Sequence, residues 1–477
     1  MVTLVLLFSR AGWAAATAML LLFGVCSGLA GSLLVEAMSL VPGNARFERR
    51  VEMMSLAREL LSPLGYGLAL LAFLMNLQLS NISAIIESTQ VADATLISLF
   101  GKSCAWQVWP SATVGEAGVW RCVGEEQLAA STSSSPFGDD WVLSLGCLLV
   151  LLMTVPLGYY NIDDIVWVQM VACLMLTCLI VPAWLREFGL LGLHFERLPA
   201  VGSSANVAAM VGPTLFNYAY IITVPSWVNE SKRSVSINKS MWWSLLAGMC
   251  TFLALGWVGA AAMKGTKAEE QDLLACLTGP RISSLGRAAT FLFPWAALVS
   301  GIPVFSIIVR YNLIENKLCS RRWAIWWATL FPWLAALLFY AGNLLETLLN
   351  WVSLLSTVPL NLVLPCYLYT VACGMHGELA DGANSSARNT SCMDEVEGES
   401  AAGVHTLEEE AVAMGESSAM DIETPLYRAL PKWFGRENSA KLAVAIAVLA
   451  SAGNTVVFAT QADRLLTGSN VGVLPHK

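Results

Sequence analysis

The chain has 477 residues, of which 56% are hydrophobic and only 13% are charged, and its net charge is −8. Soluble globular domains carry about 25% charged residues. The composition therefore excludes an ordinary soluble protein and indicates a polytopic helical membrane protein.

Runs of about 20 apolar residues, each long enough to cross a hydrocarbon core of about 30 Å, recur along most of the chain. Hydropathy predicts ten spans, preceded by a short apolar stretch at 1–8. The predicted spans are 13–38, 64–90, 141–159, 165–184, 207–228, 241–262, 288–309, 323–341, 349–373 and 442–460.

Lys and Arg concentrate in one set of loops, around residues 46–58, 232–239 and 310–322. The positive-inside rule places these loops in the cytoplasm. The loop 101–140 and the C-terminus then lie outside or in an organelle lumen. Because that environment is oxidising, Cys104 and Cys122, which share the loop 101–140, are candidates for a disulfide.

The span 207–228 is unusual because it contains Gly212, Pro213, Asn217 and Pro225. Proline removes a backbone donor and clashes with the preceding turn. A helix interrupted in this way persists in a membrane only where it is buried or lines a watery cavity, as in many transporters. We expect a broken helix with Gly212, Pro213 and Pro225 at the break; the alternative is a continuous helix with a structural kink.

The segment 374–440 differs from the rest of the chain. Between 374 and 424 it holds twelve acidic residues against one basic residue and shows no apolar periodicity. Such a composition buries too little surface to offset the cost of ordering. We expect a disordered cytoplasmic linker at 374–440 between a membrane core at 1–373 and a last helix with a short tail at 441–477. Tyr427-Arg-Ala-Leu430 fits a short tyrosine-based sorting pattern.

Signatures of catalysis are missing from the sequence. It has no phosphate-binding loop of the GxxxxGK[ST] type, no GxSxG and no HExxH, and its four histidines are dispersed. Its cysteines form no CxxC pair or Cys/His cluster of the kind that binds zinc. We therefore expect neither an enzyme nor a metal site.

Three motifs together carry a family resemblance. Gly212-Pro-Thr-Leu-Phe-Asn-Tyr-Ala-Tyr220, with Pro225 and Glu230, resembles the sixth helix of the amino acid/auxin permease family. Ala11-Gly-Trp13 resembles the opening of that family's second helix. Ser300-Gly-Ile-Pro-Val-Phe305, followed by Arg310-Tyr-Asn-Leu313, resembles its eighth helix. The similarity covers most of the chain outside the acidic linker, although Asn217 and Thr223 depart from the commonest pattern.

The resemblance implies the inverted five-plus-five helix repeat of the bacterial leucine transporter, within the APC superfamily. That fold has eleven helices, and its first and sixth helices are broken at mid-membrane. Residues 1–8 then correspond only to the end of the first helix, so this helix is truncated in the sequence. Either the N-terminus is incomplete or the chain is a degenerate member of the family.

The resemblance also suggests roles for individual residues. Substrate-binding candidates lie on the broken helix, where half-helix ends and side chains meet an amino acid: Thr214, Phe216, Asn217, Tyr218 and Tyr220. Ser300 is a candidate ion ligand. Glu87 is a candidate for proton coupling, because ionisable groups inside spans are costly and often functional. For each aromatic residue the alternative is packing against neighbouring helices, and for Ser300 it is close helix packing.

Three functions are compatible with these features. The first is a secondary active transporter that moves amino acids or related solutes by alternating access, as a symporter coupled to H⁺ or Na⁺. The second is an amino acid-sensing receptor, and the third is a non-transporting member of the same fold. The expected partners are a small-molecule substrate and the lipid bilayer, with no nucleic acid and no cofactor beyond the coupling ion. The membrane is either the plasma membrane or a vacuolar or other internal membrane.

Overall fold

The structure is a computed structural model that describes residues 2–109, 117–124, 136–138, 140–264, 277, 282–339, 353–377 and 427–466. It is mostly helical, and seven of its helices are long and apolar enough to cross a membrane. This is the architecture of a multi-pass membrane protein. The seven are Trp13–Leu40, Pro63–Phe100, Val166–Leu191, Ile237–Met263, Ser284–Glu315, Leu355–Gly377 and Arg436–Ala459.

Of the other three predicted spans, one is a shorter helix, one is interrupted, and one is helical up to the end of its described stretch. The span predicted at 141–159 is the short apolar helix Leu145–Tyr159. The span predicted at 207–228 is broken, as described below. The span predicted at 323–341 is helical from Arg321 to Phe339, where the described stretch ends. Hydropathy alone located all ten apolar segments but not the interruptions within them.

The elements described in the first half of the chain are helices and three short strands. They are α1 (Val2–Ala11), α2 (Trp13–Leu40), α3 (Met53–Leu60), α4 (Pro63–Phe100), β1 (Lys102–Gln107), β2 (Trp120–Gly124), β3 (Val142–Ser144), α5 (Leu145–Thr154), α6 (Val166–Leu174) and α7 (Val181–Leu191). A 3₁₀ turn, Leu157–Tyr159, extends α5, and a π-helical segment, Met175–Ile180, joins α6 to α7.

The second half follows in the same way. Its elements are α8 (Ser204–Asn217), α9 (Val224–Glu230), α10 (Ile237–Met263), α11 (Ser284–Pro294), α12 (Gly301–Glu315), α13 (Arg321–Ile325), α14 (Phe331–Phe339), α15 (Leu355–Gly377) and α16 (Arg436–Leu466). The π-helical segments Trp295–Val299 and Trp326–Leu330 join α11 to α12 and α13 to α14.

The fold is mostly helical, which is compatible with the all-α prediction, and it also contains a small sheet. The three strands form an antiparallel sheet in the order β2-β1-β3 between α4 and α5. The loop between α4 and α5 is too long for a tight turn. The backbone groups of its three described strands pair with one another in the sheet. Cys104 and Cys122 lie opposite each other in the β1–β2 register and are joined by a disulfide.

Close helix contacts in the core depend on small residues. A Cβ atom at Gly256 of α10 would lie 2.6 Å from the ring of Phe8, and one at Gly259 would lie 2.7 Å from Val5. Both positions therefore allow α1 to approach the α10 backbone directly, as small residues do in membrane bundles. The interface gives α1 a fixed place although it is short.

The structure differs from the sequence prediction at both ends of the acidic linker. The preceding helix continues to Gly377, and residues 427–436 pack against α2. The buried carboxylate of Glu36 accepts a hydrogen bond from the Ala429 N–H at 2.9 Å and lies 3.6 Å from Arg436 Nε. The chain therefore contacts the helical core at Ala429 and Arg436, both of which meet Glu36.

The same contacts bear on the tyrosine-based sorting pattern. The Tyr427 ring packs edge-on against Phe47 with the ring centroids 6.0 Å apart, and its hydroxyl oxygen is buried. A sorting adaptor reads such a pattern as an exposed extended peptide. In this conformation the pattern is sequestered, so its sorting role is not supported. Most of the predicted linker, 378–426, lies outside the described residues.

Candidate functional site at a broken membrane helix

The predicted break is present, but it lies further along the chain than expected. Helix α8 passes through Gly212 and Pro213 without interruption and ends at Asn217. A turn and the 3₁₀ segment Ile221–Thr223 follow, and α9 begins at Val224. The expectation that Gly212 and Pro213 form the break is therefore wrong in position. A proline removes only one hydrogen bond from a helix, and here the surrounding helices hold α8 together across it.

Pro225 has a different place. It occupies the first turn of α9, where its missing N–H leaves no bond unmade. Its ring also fixes a backbone angle suited to starting a helix. Pro225 thus marks the beginning of the second half-helix rather than a distortion inside it.

Side chains satisfy two of the backbone groups at the break. The Ile222 N–H donates to Asn361 Oδ1 at 3.3 Å, and Thr223 Oγ1 donates to the Tyr220 carbonyl at 2.6 Å. Asn361 is buried in α15, and its Nδ2 also donates to the Thr357 carbonyl at 2.9 Å. Asn361 therefore acts as an external acceptor for an amide that the interrupted helix leaves unpaired.

The hydrogen bonds of the predicted substrate-binding side chains run within α8 or to α2. Thr214 is buried and donates from its hydroxyl to the Met210 carbonyl at 2.9 Å. Asn217 Nδ2 donates to the Pro213 carbonyl at 2.7 Å, in the last turn of its own helix. Phe216 lies in α8, and its side chain is outside the described part of the structure.

The two tyrosines face α2. Tyr218 Oη donates to the Leu20 carbonyl at 3.1 Å. The hydroxyl of Tyr220 is buried beside Gly31, where a Cβ atom would lie 3.9 Å from it. Packing against a neighbouring helix, the alternative considered for these aromatics, is what the structure shows for both. They hold the broken helix on α2.

The two predicted ion-coupling residues lie apart from this cluster. Ser300 follows the π-helical segment Trp295–Val299; its hydroxyl donates to the Ala296 carbonyl, and its own carbonyl accepts from Gln169 Nε2, both at 2.7 Å. Glu87 is on an exposed side of α4 and accepts a hydrogen bond from Ser83 Oγ at 2.7 Å. Among the described residues, no three His, Cys, Asp or Glu side chains cluster as metal ligands would.

A feature that the sequence did not indicate lies at the far end of the broken helix. Residues 50–54, here called the hub segment, bind α9. Val51 and Asn229 exchange two hydrogen bonds, Val51 N to Asn229 Oδ1 at 3.2 Å and Asn229 Nδ2 to the Val51 carbonyl at 3.1 Å. Glu52, fully buried, accepts from Asn229 Nδ2 at 3.0 Å and from the Ser226 hydroxyl.

The hub segment also binds the end of α12. The Arg50 guanidinium lies over the Tyr311 ring, 3.9 Å from its centroid, and its nitrogens lie 2.7 Å from Glu230 and 3.8 Å from Glu315. The Met54 N–H donates to Asn312 Oδ1 at 3.0 Å. One short segment thus ties the second half of the broken helix to a helix distant in sequence.

Glu52 is the buried carboxyl group of the hub. Burial raises the pKa of its carboxyl above the ordinary value, although Ser226, Arg50 and Asn229 all stabilise the charged form. A carboxylate in this position is held by three donors but is deprived of water. The balance makes the hub sensitive to protonation of Glu52.

A pH dependence follows from this shift. Because the folded-state pKa is above the unfolded value of about 4.5, the folded chain binds more protons between the two values. The contribution of Glu52 to stability is complete below about 4.5 and falls as the pH rises through its folded pKa. We expect thermal unfolding of the detergent-solubilised protein to show this slope and Glu52→Gln to flatten it. An identical slope in both proteins would contradict the assignment.

Sequence reasoning did not identify Glu52, Asn229 or Asn361. An acidic residue beside basic residues in a loop is usually a solvent-exposed charge. Glu52 has such neighbours, so its sequence context did not indicate that it is buried. Asn361 had a weak signal, since an amide inside an apolar span, two residues after Pro359, is a costly placement. Only the fold shows that it faces the break.

With the site in view, comparison with known proteins adds no assignment. No protein-family model matches the chain, and no curated protein is significantly similar to it.

Proposed function

We propose that this protein is a secondary active transporter of amino acids or related small solutes that works by alternating access. The observation that carries the proposal is the interrupted helix α8–α9, whose second half is held by the hub segment. An interruption inside a membrane exposes backbone groups and is retained where it serves binding or movement.

The break provides a hinge. Residues 218–223 connect α8 to the seven-residue helix α9, and the contacts of α9 with Glu52 and Val51 are polar and few. A half-helix that rotates when its polar contacts open is one physical route to alternating access. In this proposal α9 swings when the hub contacts open, while α8 stays packed on α2.

The family resemblance supports the proposal through the places where its motifs fall. Ala11-Gly-Trp13 lies at the joint of α1 and α2, where Gly12 has φ +90° and a Cβ would lie 2.7 Å from the Ala200 carbonyl oxygen. The second motif lies on the broken helix, and the third begins at Ser300, where α12 follows a π-helical segment. The first two coincide with helix interruptions, as a fold built on broken helices requires, and the third lies at a π-helical segment within the continuous helix Ser284–Glu315.

On this proposal the chain has the inverted five-plus-five repeat of the amino acid/auxin permeases. The substrate's carboxylate and ammonium groups bind the open backbone of the break, and H⁺ or Na⁺ supplies the driving force. Ser300 and Glu87 stay as the candidate coupling residues. The hub lies on the cytoplasmic side, since its loop carries the arginines that orient the chain.

The test is uptake by the purified protein in sealed vesicles. A panel of radiolabelled amino acids is presented under an imposed H⁺ gradient, an imposed Na⁺ gradient and no gradient. We expect at least one amino acid to accumulate only with a gradient. Ligand-dependent thermal stabilisation without accumulation would instead identify a sensor, and the absence of both would point to a non-transporting member of the fold.

A further inference from the structure

The outward face of the three-stranded sheet is aromatic. Along β1 the side chains alternate, with Ser103, Ala105 and Gln107 buried and Lys102 and Trp106 exposed. Trp106 lies opposite Trp120 of β2, and the two rings meet edge to face with centroids 5.5 Å apart. We call Lys102, Trp106 and Trp120 the tryptophan face.

This face is fixed and uncovered. Trp106 is 39% exposed and Trp120 is 56% exposed. The next pair on the same face is Cys104 and Cys122, whose disulfide locks the two strands together beside the rings. A rigid aromatic surface outside the helix bundle marks a contact site rather than a solvated loop.

The length of α5 places the sheet relative to the bilayer. At about 1.5 Å per residue, the apolar stretch Leu145–Tyr159 is roughly 22 Å long, less than the ~30 Å of a hydrocarbon core. Its far end is polar, because Arg310 Nη1 donates to the Gly158 carbonyl at 2.8 Å. The hydrocarbon boundary must therefore lie at or beyond the near end of α5, where β3 begins the span.

The sheet is attached at this same level. Trp106 pairs with Leu143, two residues before α5 starts. Asp93 of α4 accepts hydrogen bonds from Gly146 N at 2.9 Å and from Ser103 Oγ at 2.7 Å, which joins α4, β1 and the start of α5 at one height. The sheet cannot stand far above the membrane without pulling this short span out of it.

The charge of the face fits a lipid headgroup. Lys102 is the charged member of the face, and it is exposed on the far side of the Cys104–Cys122 pair from the two tryptophans. Arg121, on β2, is engaged by Asp140. Tryptophan rings prefer the headgroup level of a bilayer, and a lysine beside them can reach lipid phosphates.

We propose that the tryptophan face binds the bilayer interface, with Trp106 and Trp120 at the headgroup level and Lys102 directed to lipid phosphates. The sheet then lies at the membrane surface and covers the end of α5 that follows β3. The proposal rests on the sheet and α5 alone and is independent of the transport proposal.

Fluorescence quenching in reconstituted vesicles tests this. The chain has 18 tryptophans, so the signal of the pair is taken as the difference between the native chain and Trp106→Phe/Trp120→Phe. In phosphatidylcholine vesicles whose acyl chains are brominated near the headgroup, we expect the difference signal to fall at least about twofold. Aqueous iodide is expected to leave most of the difference signal unquenched.

A matched control and a milder variant accompany the experiment. Trp184, 1% exposed inside the bundle, supplies a difference signal from Trp184→Phe that neither quencher should reach. If the double variant does not fold, Trp120→Phe on the edge strand alone gives the same comparison. Strong iodide quenching without bromine quenching would place the face in water and overturn the proposal, and insensitivity to both quenchers would overturn it in favour of a protein cover.

Discussion

Replacing Glu52 with alanine is expected to loosen α9 and to lower the stability of the folded chain by about 3–5 kcal/mol, the range for breaking a buried charged network from one side. The reason is that Glu52 is fully buried and takes hydrogen bonds from Ser226 and Asn229 while it attracts Arg50 at 3.4 Å. All three partners lose the Glu52 carboxylate at once. Arg50 keeps Glu230, and Asn229 keeps the Val51 carbonyl. Thermal or denaturant unfolding in detergent measures the loss.

The matched control is Glu59→Ala. Glu59 also pairs with an arginine of the same loop, Arg49, but at the protein surface. Exposed pairs contribute about 0–1 kcal/mol, so this variant is expected to unfold almost as the native chain does. Equal destabilisation by the two variants would show that Glu52 is not the centre of the hub.

The same experiment has a conformational readout. If Glu52 latches α9, its removal should raise amide hydrogen exchange across 224–230 more than across α8. In the transport proposal, removal of Glu52 also changes the population of the conformation that is open on the side of the membrane where the hub lies. A global increase in exchange, with no preference for α9, would indicate a packing role only.

Replacing Asn361 with alanine is expected to destabilise the break itself. The Ile222 N–H would lose its acceptor, and an unsatisfied buried amide costs about 1–3 kcal/mol. We expect faster hydrogen exchange at residues 218–223 and, if the protein transports, a reduced uptake rate at unchanged membrane expression. Asn361→Asp keeps the Oδ1 acceptor and should preserve the bond to Ile222 better than alanine does.

Asn438 offers the control for this variant. Its Nδ2 donates to the carbonyl four residues earlier, Phe434, just as that of Asn361 donates to Thr357. Asn438 is exposed and remote from the break, so Asn438→Ala should change stability by no more than about 0.5 kcal/mol. Similar exchange patterns in the two alanine variants would contradict the role of Asn361 at the break.

The two contacts are expected to be coupled. Asn361 bonds to Ile222 just before α9 begins, and Glu52 bonds to Ser226 and Asn229 within α9. Groups that act on one short element share its displacement, so combined variants should deviate from additivity. Additive effects would mean that the two contacts restrain α9 independently.

Local sequence information accounted for the membrane class and for the approximate position of every apolar segment. Hydropathy depends on residues within one window, so it needs no knowledge of the fold. Pro213 and Pro225 likewise indicated an interruption, since proline acts on its own turn. The same local rule failed to choose between them, because neighbouring helices determine whether a missing hydrogen bond breaks a helix.

The contacts of the hub were decided only by the tertiary structure. Glu52 meets Ser226 across 174 positions of the chain, and Ala429 meets Glu36 across 393. No periodicity or spacing encodes such pairs, because they arise when separate spans pack side by side. Composition determined that this chain folds in a membrane; packing among its helices determined where the span 207–228 opens and which residues hold it.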